Sequence, residues 1–419
     1  MKSKQSGYLN LPANDVKQTV NRSPSRLELW LLESLWRVLQ KPPMQLKLWE
    51  GTAVGAQSDD VPRLVIKSPK MLWRFLLNPN INFGDGYSAG EIEVEGDLVR
   101  FMEAIFSSRP SLHDSNWFQR YALNRPRLVR RNTLGGSRDN IHHHYDLGND
   151  FYRLWLDEEM LYTCAYFPDP EMSLEAAQVA KMEHVCRKLR LRPGEHVVEA
   201  GCGWGALSLY MAKHHGVQVK AFNVSQQQMQ WARERAQREG LSEQVEFIVD
   251  DYRNVSGAFD VFVSIGMLEH VGRDNYAQMG QVIDRCLKRN GRGLVHSIGQ
   301  LESRPMNGWI EKRIFPGAYP PTLSEIARMF EPWKLEVTDV ENLRLHYAKT
   351  LEHWLARFES NIEPIAAMYD TSFTRAWRLY LVGSLAHFNI GALQLFQVAF
   401  NRATNNDIPW TRASLYRQE

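Results

Sequence analysis

The sequence predicts an α/β fold: a doubly wound parallel sheet preceded by a smaller α+β domain. Three observations carry this. From residue 173 onward, helix-like and strand-like stretches alternate, which implies a parallel sheet flanked by helices. The apolar strand His196–Ala200 runs straight into Gly201, Gly203 and Gly205 and then into a helix-forming run, Ala206–Lys213. Before residue 120 the pattern differs, with short strands mixed among amphipathic helices. At 419 residues the chain is long enough for about two to three domains.

Residues 1–22 are polar and read as loose. Ser23-Pro24 suits a helix start, with Ser as cap and Pro at the first helical position. Leu27, Leu31, Leu35 and Leu39, joined by Trp30 and Trp36, then form a broad apolar face, with Glu28, Glu33 and Arg37 off it. Such a face either packs on its own domain or meets a membrane or acyl chain. Strands follow at Gln45–Trp49 and Arg63–Lys67, a helix near Lys70–Leu77, and a loop with Gly84, Gly86 and Gly90. Glu91–Glu95 alternates as a strand, and Leu98–Phe106 is helical. These elements make an N-terminal domain of residues 1–118. Residues 119–138 contain Arg120, Arg125, Arg127, Arg130, Arg131 and Arg138 and no acid. Pro126 and Gly135-Gly136 break regular structure there, so the segment reads as a basic linker. It is either a solvated face or an attractor of anionic headgroups, at about 1 kcal/mol per charge.

The remainder, 139–419, is the larger domain. Its helices are expected at Ser173–Leu191, Ser225–Glu239 and Asp274–Lys288. Its strands are His196–Ala200, Val217–Asn223, Val245–Asp250, Phe259–Ile265, Gly293–Ile298 and Lys334–Val340. Late helices are read at Leu351–Ser360 and Thr374–Phe400. Leu379–Phe400 carries no charged residue and has about the length of a membrane span. Its Ser384, His387, Asn389, Gln394 and Gln397 favour a buried or interface-facing helix instead.

Composition narrows the function. A net charge of +2 with 23% charged residues argues against a disordered chain and against a nucleic-acid partner. Thirteen Trp and 11% aromatics supply large apolar surfaces, for a core or for lipid. The four cysteines form no CxxC pair, which fits free thiols in a reducing cytosol. His142-His143-His144 cannot easily converge on one ion, so no metal site is expected. The first fifteen residues have no apolar core of a signal peptide, so a cytoplasmic protein is expected.

The glycine-rich turn lets backbone approach a flat nucleoside closely. No Lys-Ser/Thr pair follows it, which argues against a triphosphate. The acid before the first glycine, Glu199, stands where it could hold the methionine amine of S-adenosylmethionine (AdoMet). Ligands of such sheets sit beyond the C-terminal strand ends. There, Asn223 and Gln228 could bind cofactor hydroxyls, although Asn223 and Ser225 also suit a turn and a helix cap. Asp250 or Asp251 could take the adenine amino group and Tyr252 could stack on the ring. Glu269 and His296 project to the same end from adjacent strands and form a candidate base, or a holder for one.

Five motifs carry a family resemblance: HYDLGNDF at 144–151, YTCAYF at 162–167, GCGWG at 201–205, GMLEHVG at 266–272 and VHSIG at 295–299. In this order and spacing they resemble the cyclopropane-fatty-acid synthase family, whose core the mycolic acid cyclopropane synthases share. FGDGYSAGEIEVEGDL at 83–98 resembles that family's N-terminal lipid-binding domain. The resemblance implies a seven-stranded, Rossmann-like AdoMet-dependent methyltransferase. It implies methyl transfer to a cis double bond of a phospholipid acyl chain, then loss of a proton to a bound bicarbonate ion and ring closure. Bicarbonate ligands carry over to Cys164, Glu269, His296, Ile298 and Tyr347, and AdoMet contacts to Tyr145, Gly201, Gly203, Gln228 and Tyr252. Tyr166, Phe167, Tyr319 and Tyr347 are available to stabilise a carbocation. The family commonly has Thr or a similar residue at the position of Asn223. A peripheral association with the inner membrane face, an affinity for anionic headgroups and a homodimer are further implications. Branched-chain methylation, N-methylation of a small amine and a non-catalytic lipid-binding protein are the competing readings.

Overall fold

The computed structural model describes residues 9, 11, 22–58, 60–108 and 147–416. Tyr145, the three histidines at 142–144 and the basic segment 119–138 lie outside them. The described chain divides into two compact units. One comprises the N-terminal elements together with residues 305–316 and 354–391; the other holds the remaining residues from 147 onward. This differs from a single cut at the basic segment. Packing partners far apart in sequence explain the difference.

In the first unit α1 (Arg26–Val38) starts two residues later than the Ser-Pro pair suggests. Ser25 is the N-cap, and Ser25 with Glu28 forms a capping box. Glu28 also bonds Arg22 at 2.6 Å and is buried rather than solvent-facing. The Arg22 hydrogen bond is the largest cause holding the Glu28 carboxyl down at about 2. Leu32 is the most buried apolar residue of α1, whereas Leu27 and Trp30 are 55% and 60% exposed. Strands β1 (Gln45–Leu48), β2 (Ala53–Gly55), β3 (Arg63–Ile66) and β4 (Ile92–Glu95) form a small sheet in the order β2-β1-β3-β4.

The segment read as a glycine loop is a helix, α3 (Pro79–Ser88), following α2 (Pro69–Leu77). Its glycines serve close packing rather than a turn. A Cβ at Gly84 would lie 2.5 Å from the Trp309 ring, and one at Gly86 3.0 Å from Met71 and Ile92. Asp85 between them receives Arg313 in a bidentate pair at 2.8 and 3.0 Å, buried on both sides. Trp309 and Arg313 stand one turn apart on the helix Gly308–Arg313, so one face of it reads the Gly-Asp pair of α3. The helix Thr371–Asn389 packs the same way: Arg375 donates to Tyr87 O and Glu93, and Gly383 lies against Met102 of α4 (Leu98–Ser107). Removing one partner of a buried pair strands the other charge. Asp85→Asn is therefore expected to lower unfolding stability by about 3–5 kcal/mol, read from urea denaturation; a loss below 1 kcal/mol would show that the pair is dispensable.

The second unit is built on a seven-stranded sheet in the order β10-β11-β9-β8-β5-β6-β7. Here β5 is His196–Ala200, β6 Gln218–Asn223, β7 Val245–Val249, β8 Phe259–Ile265, β9 Leu287–Gln300, β10 Leu335–Asn342 and β11 Leu393–Arg402. Strands β5 to β9 pair in parallel, and β11 lies antiparallel between β9 and β10. Alternate residues of one strand enter opposite cores, Val197 one and Val198 the other. The order reverses between β5 and β8, which opens a crevice at their C-terminal ends.

The stretch read as one long helix to Phe400 is two elements. The helix ends at Asn389, Gly391 takes φ 78°, and β11 begins at Leu393. The uncharged run reflects burial: β11 is sandwiched between two strands and takes apolar residues on both faces. No helix among the described residues is long and apolar enough to cross a membrane.

Candidate active site

The glycine turn sits at the reversal of strand order, and its three glycines have different tasks. Gly205, at φ 83°, caps the helix Ala206–His215, and a Cβ there would meet the Phe247 ring at 2.7 Å. Gly201, at φ 85°, lies against Met267, which a Cβ would approach to 2.9 Å. Gly203, at φ 54°, has nothing within 4 Å of that position and faces open space. Only Gly203 thus leaves room beside the backbone for a ligand.

The remaining residues expected around the cofactor are placed unevenly. Glu199 is fully buried and accepts from Ser208 Oγ. Burial pushes its carboxyl up to about 7, opposed by the Ser208 bond and by the Lys181 charge. Asn223 braces the turn: its Nδ2 donates to Gly203 O at 3.2 Å and to Gln228 Oε1 at 2.7 Å, and its Oδ1 accepts from Val224 N at 2.8 Å. Both of its amide hydrogens are thereby engaged within the loop. Gln228 by contrast keeps a buried Nε2 without a partner. Both oxygens of Asp251 accept from the Arg253 side chain, at 2.7 and 2.8 Å, and Oδ1 also accepts from Arg253 N, so this carboxylate caps a turn. Tyr252 is half-buried beside that pair, with the Arg253 guanidinium 5.6 Å from its ring centre.

On the other side of the crevice, β8 and β9 place Glu269 and His296 together. Ile265 pairs with His296 in register, and Gly266 N donates to His296 O at 2.8 Å. The chain then turns into the short helix Leu268–Val271, which carries Glu269. Ile298 N donates to Glu269 Oε1 at 2.5 Å, and Tyr319 N to the Glu269 carbonyl at 2.8 Å. Ile298 therefore contributes a backbone N–H that aims the carboxylate. Glu269 Oε2 and His296 Nε2 are both buried and have no partner. Burial raises the Glu269 carboxyl to about 7 and lowers His296 to about 3, the latter assisted by the Lys181 and Lys188 charges. At neutral pH the imidazole is uncharged, and Glu269 titrates near the working pH.

Cys164 and Tyr347 close the same end of the sheet. Ala165 N donates to Thr350 Oγ1 at 3.0 Å, and Thr350 follows Tyr347 by one turn on the helix Arg344–Ser360. The methyl group of Thr163 lies 2.9 Å from where a Cβ of Gly266 would be. The YTCAYF loop is thus wedged against the GMLEHVG loop. Burial pushes the Cys164 thiol far up, so it is neutral, and all four cysteines are buried and unpaired.

Of the aromatic residues expected to face a cation, Tyr166 is stacked between His184 and His346, at 4.1 and 4.9 Å. The Tyr319 hydroxyl is bonded to Ser303 and Glu325. Two groups at this site carried no signal in the sequence. Lys181 is fully buried and donates to Thr163 Oγ1 at 3.0 Å; burial brings its ammonium down to about 8. Gln397 lies across from His296. A charged residue within a helix and an amide in an apolar run give no hint of position.

The family model described as mycolic acid cyclopropane synthetase matches residues 134–398, which includes every described residue of this site. The chain belongs to that family. A second model, described only as a domain of unknown function, matches residues 31–116. Among its relatives, the cyclopropane-fatty-acyl-phospholipid synthase of Escherichia coli is 34% identical over 344 residues, 82% of this chain and 88% of that protein. The tuberculostearic acid methyltransferase UfaA1 of Mycobacterium tuberculosis is 32% identical over 372 residues, 85% of this chain and 87% of its own length. The solved structure of the mycolic acid cyclopropane synthase CmaA1 complexed with SAH and CTAB is 29% identical. It superposes with a TM-score of 0.61 over 63% of this chain and 98% of that one. The chain is an AdoMet-dependent methyltransferase with the seven-stranded fold of these enzymes.

Proposed function

We propose that this enzyme transfers the AdoMet methyl group to the cis double bond of unsaturated phospholipid acyl chains and closes a cyclopropane ring. The observation that carries the reading is the pair of fully buried, unpartnered atoms Glu269 Oε2 and His296 Nε2 beside the open glycine turn. A buried polar atom without a partner costs about 1–3 kcal/mol, so two at one place indicate a polar ligand. One acceptor and one neutral donor suit bicarbonate, which offers one O–H and further acceptor oxygens. Glu269 and His296 would hold it, with Cys164 and Tyr347 bounding the site and Ile298 aiming Glu269.

In the reaction the π electrons of the double bond form the new C–C bond as the S–CH₃ bond breaks and the thioether leaves. Loss of a proton from the new methyl group then frees the C–H pair that closes the ring. Bicarbonate, when bound, supplies a small base for that proton which AdoMet cannot readily methylate. The chain's own part is to present Gly203 backbone and Gln228 Nε2 to the nucleoside, Glu199 to the methionine amine, and a neutral His296 to an anion. Glu269 must be ionised to accept, so turnover is expected to fall as pH drops through about 7, where its carboxyl takes a proton. A rate flat from pH 6 to 8 would remove Glu269 from this role.

Leu27, Trp30, Trp73 and Leu77 are exposed on α1 and α2, which supports a bilayer-facing N-terminal unit and a peripheral membrane location. Co-sedimentation with anionic vesicles at low and high salt tests this; protein left in the supernatant at low salt would reject it. The function itself is tested by incubating the enzyme with AdoMet and cis-monounsaturated phospholipid vesicles and analysing the acyl methyl esters by mass spectrometry. Gain of one CH₂ with loss of the double bond, the ring surviving mild hydrogenation, is the expected product. A branched chain would keep the methyl transfer and discard ring closure, and unmodified lipid would discard both.

A further inference from the structure

We infer that Gln397 is a positioning residue that fixes His296 in the tautomer bearing its proton on Nε2. The inference rests on the proposed anion site, which it deepens. Gln397 and His296 are direct cross-strand partners in the β11–β9 ladder. Both are fully buried, and Gln397 Nε2 stands 3.1 Å from His296 Nδ1. An amide NH₂ can only donate, so Nδ1 accepts and the single ring proton of a neutral imidazole resides on Nε2. That nitrogen is the one without a partner, and two residues along the same strand Ile298 N–H holds Glu269, whose other carboxylate oxygen also lacks one.

The opposite tautomer would leave Nε2 a bare acceptor, like the unpartnered Glu269 Oε2. Two acceptors and no donor could not receive an anion. The charged and titratable groups acting on the ring from the surrounding elements are Lys181, Lys188, His184 and Glu341. The two lysines disfavour an imidazolium, which leaves the choice of tautomer to the hydrogen bond at Nδ1. Gln397 makes that bond from a strand whose register is set on both sides by β9 and β10.

The test is nitrogen NMR of the full chain with ¹⁵N-labelled histidine, the His296 resonances assigned by their absence from a His296→Asn sample. The parent enzyme is expected to show a protonated Nε2 and a bare Nδ1. In Gln397→Glu the new carboxylate accepts from Nδ1, so the proton is expected to move there or the ring to become an imidazolium. Ring formation should drop about 100-fold, with AdoMet affinity unchanged by titration calorimetry. Gln397→Leu, which removes the donor and adds no charge, should lose about 10-fold and show a mixed tautomer signal. A parent enzyme with the proton on Nδ1 overturns the inference even if neither variant folds. So does a Gln397→Glu protein that keeps both tautomer and turnover. If the tautomer behaves as expected but the parent makes no ring product, the positioning stands and the catalytic reading falls.

Discussion

A Glu269→Gln enzyme is expected to bind AdoMet as the parent does and to lose about 10²–10⁴-fold in ring formation. Gln keeps the shape of the side chain and its acceptor for Ile298 N–H, so the loop geometry survives. It removes the negative oxygen that would hold the anion's hydroxyl as an ionised acceptor. The same change should alter stability in a direction set by pH. Burial raises the folded-state carboxyl to about 7 from 4.5. Between those values the folded protein binds the proton more tightly than the unfolded chain, so this group's contribution to stability falls as pH rises from 4.5 to 7 and stays unfavourable above. The Gln variant should therefore unfold at a higher temperature than the parent at pH 8, the gap closing toward pH 5. Lipid mass spectrometry, AdoMet calorimetry and thermal melts at the two pH values check the three statements. Ring formation within tenfold of the parent would falsify the assignment.

Gly203→Ala and Gly205→Ala, two residues apart in sequence, are expected to fail in opposite ways. Both positions have positive φ, so each variant bears about 1–2 kcal/mol of left-handed strain. At Gly205 the new methyl also meets Phe247 at 2.7 Å and the Ala232 methyl at 2.9 Å, inside the core. Overpacking there brings the total to about 2–4 kcal/mol, visible in urea denaturation. At Gly203 the methyl points into free space, so stability should fall by the strain alone. It would occupy the room left for the nucleoside, and AdoMet affinity should drop at least about tenfold, or 1.4 kcal/mol. A Gly203→Ala protein that binds AdoMet normally would move the cofactor away from this turn.

Much of this could be read from residue order. The helix–strand alternation after residue 173 foretells the parallel strands, and the spacing of glycines marks the reversal point. Glu269 and His296 were legible as a pair because parallel strands bring their C-terminal ends to one side. Asn223 and Asp251 have local partners that the sequence does not announce: a loop carbonyl and Gln228 for one, Arg253 for the other. Polar side chains at turns bond nearby backbone whenever geometry allows, and sequence does not say which partner wins. Gly84 and Gly86 read as a loop because glycine signals both turns and close packing, and only the Trp309 ring across from Gly84 distinguishes them.

By itself the sequence determined the class of fold, the position of the glycine turn and the family, because these rest on local periodicity and on motifs in fixed order. The tertiary structure alone decided which atoms are left over for a ligand. The unpartnered oxygen of Glu269, the unpartnered nitrogen of His296, the buried Lys181 and the Gln397 amide acquire meaning only when β9, β11 and the YTCAYF loop are brought together. Availability is what remains after every nearer hydrogen bond has been made, and in this molecule the deciding partners lie from 18 residues away, for Lys181 and Thr163, to 185, for Ala165 and Thr350.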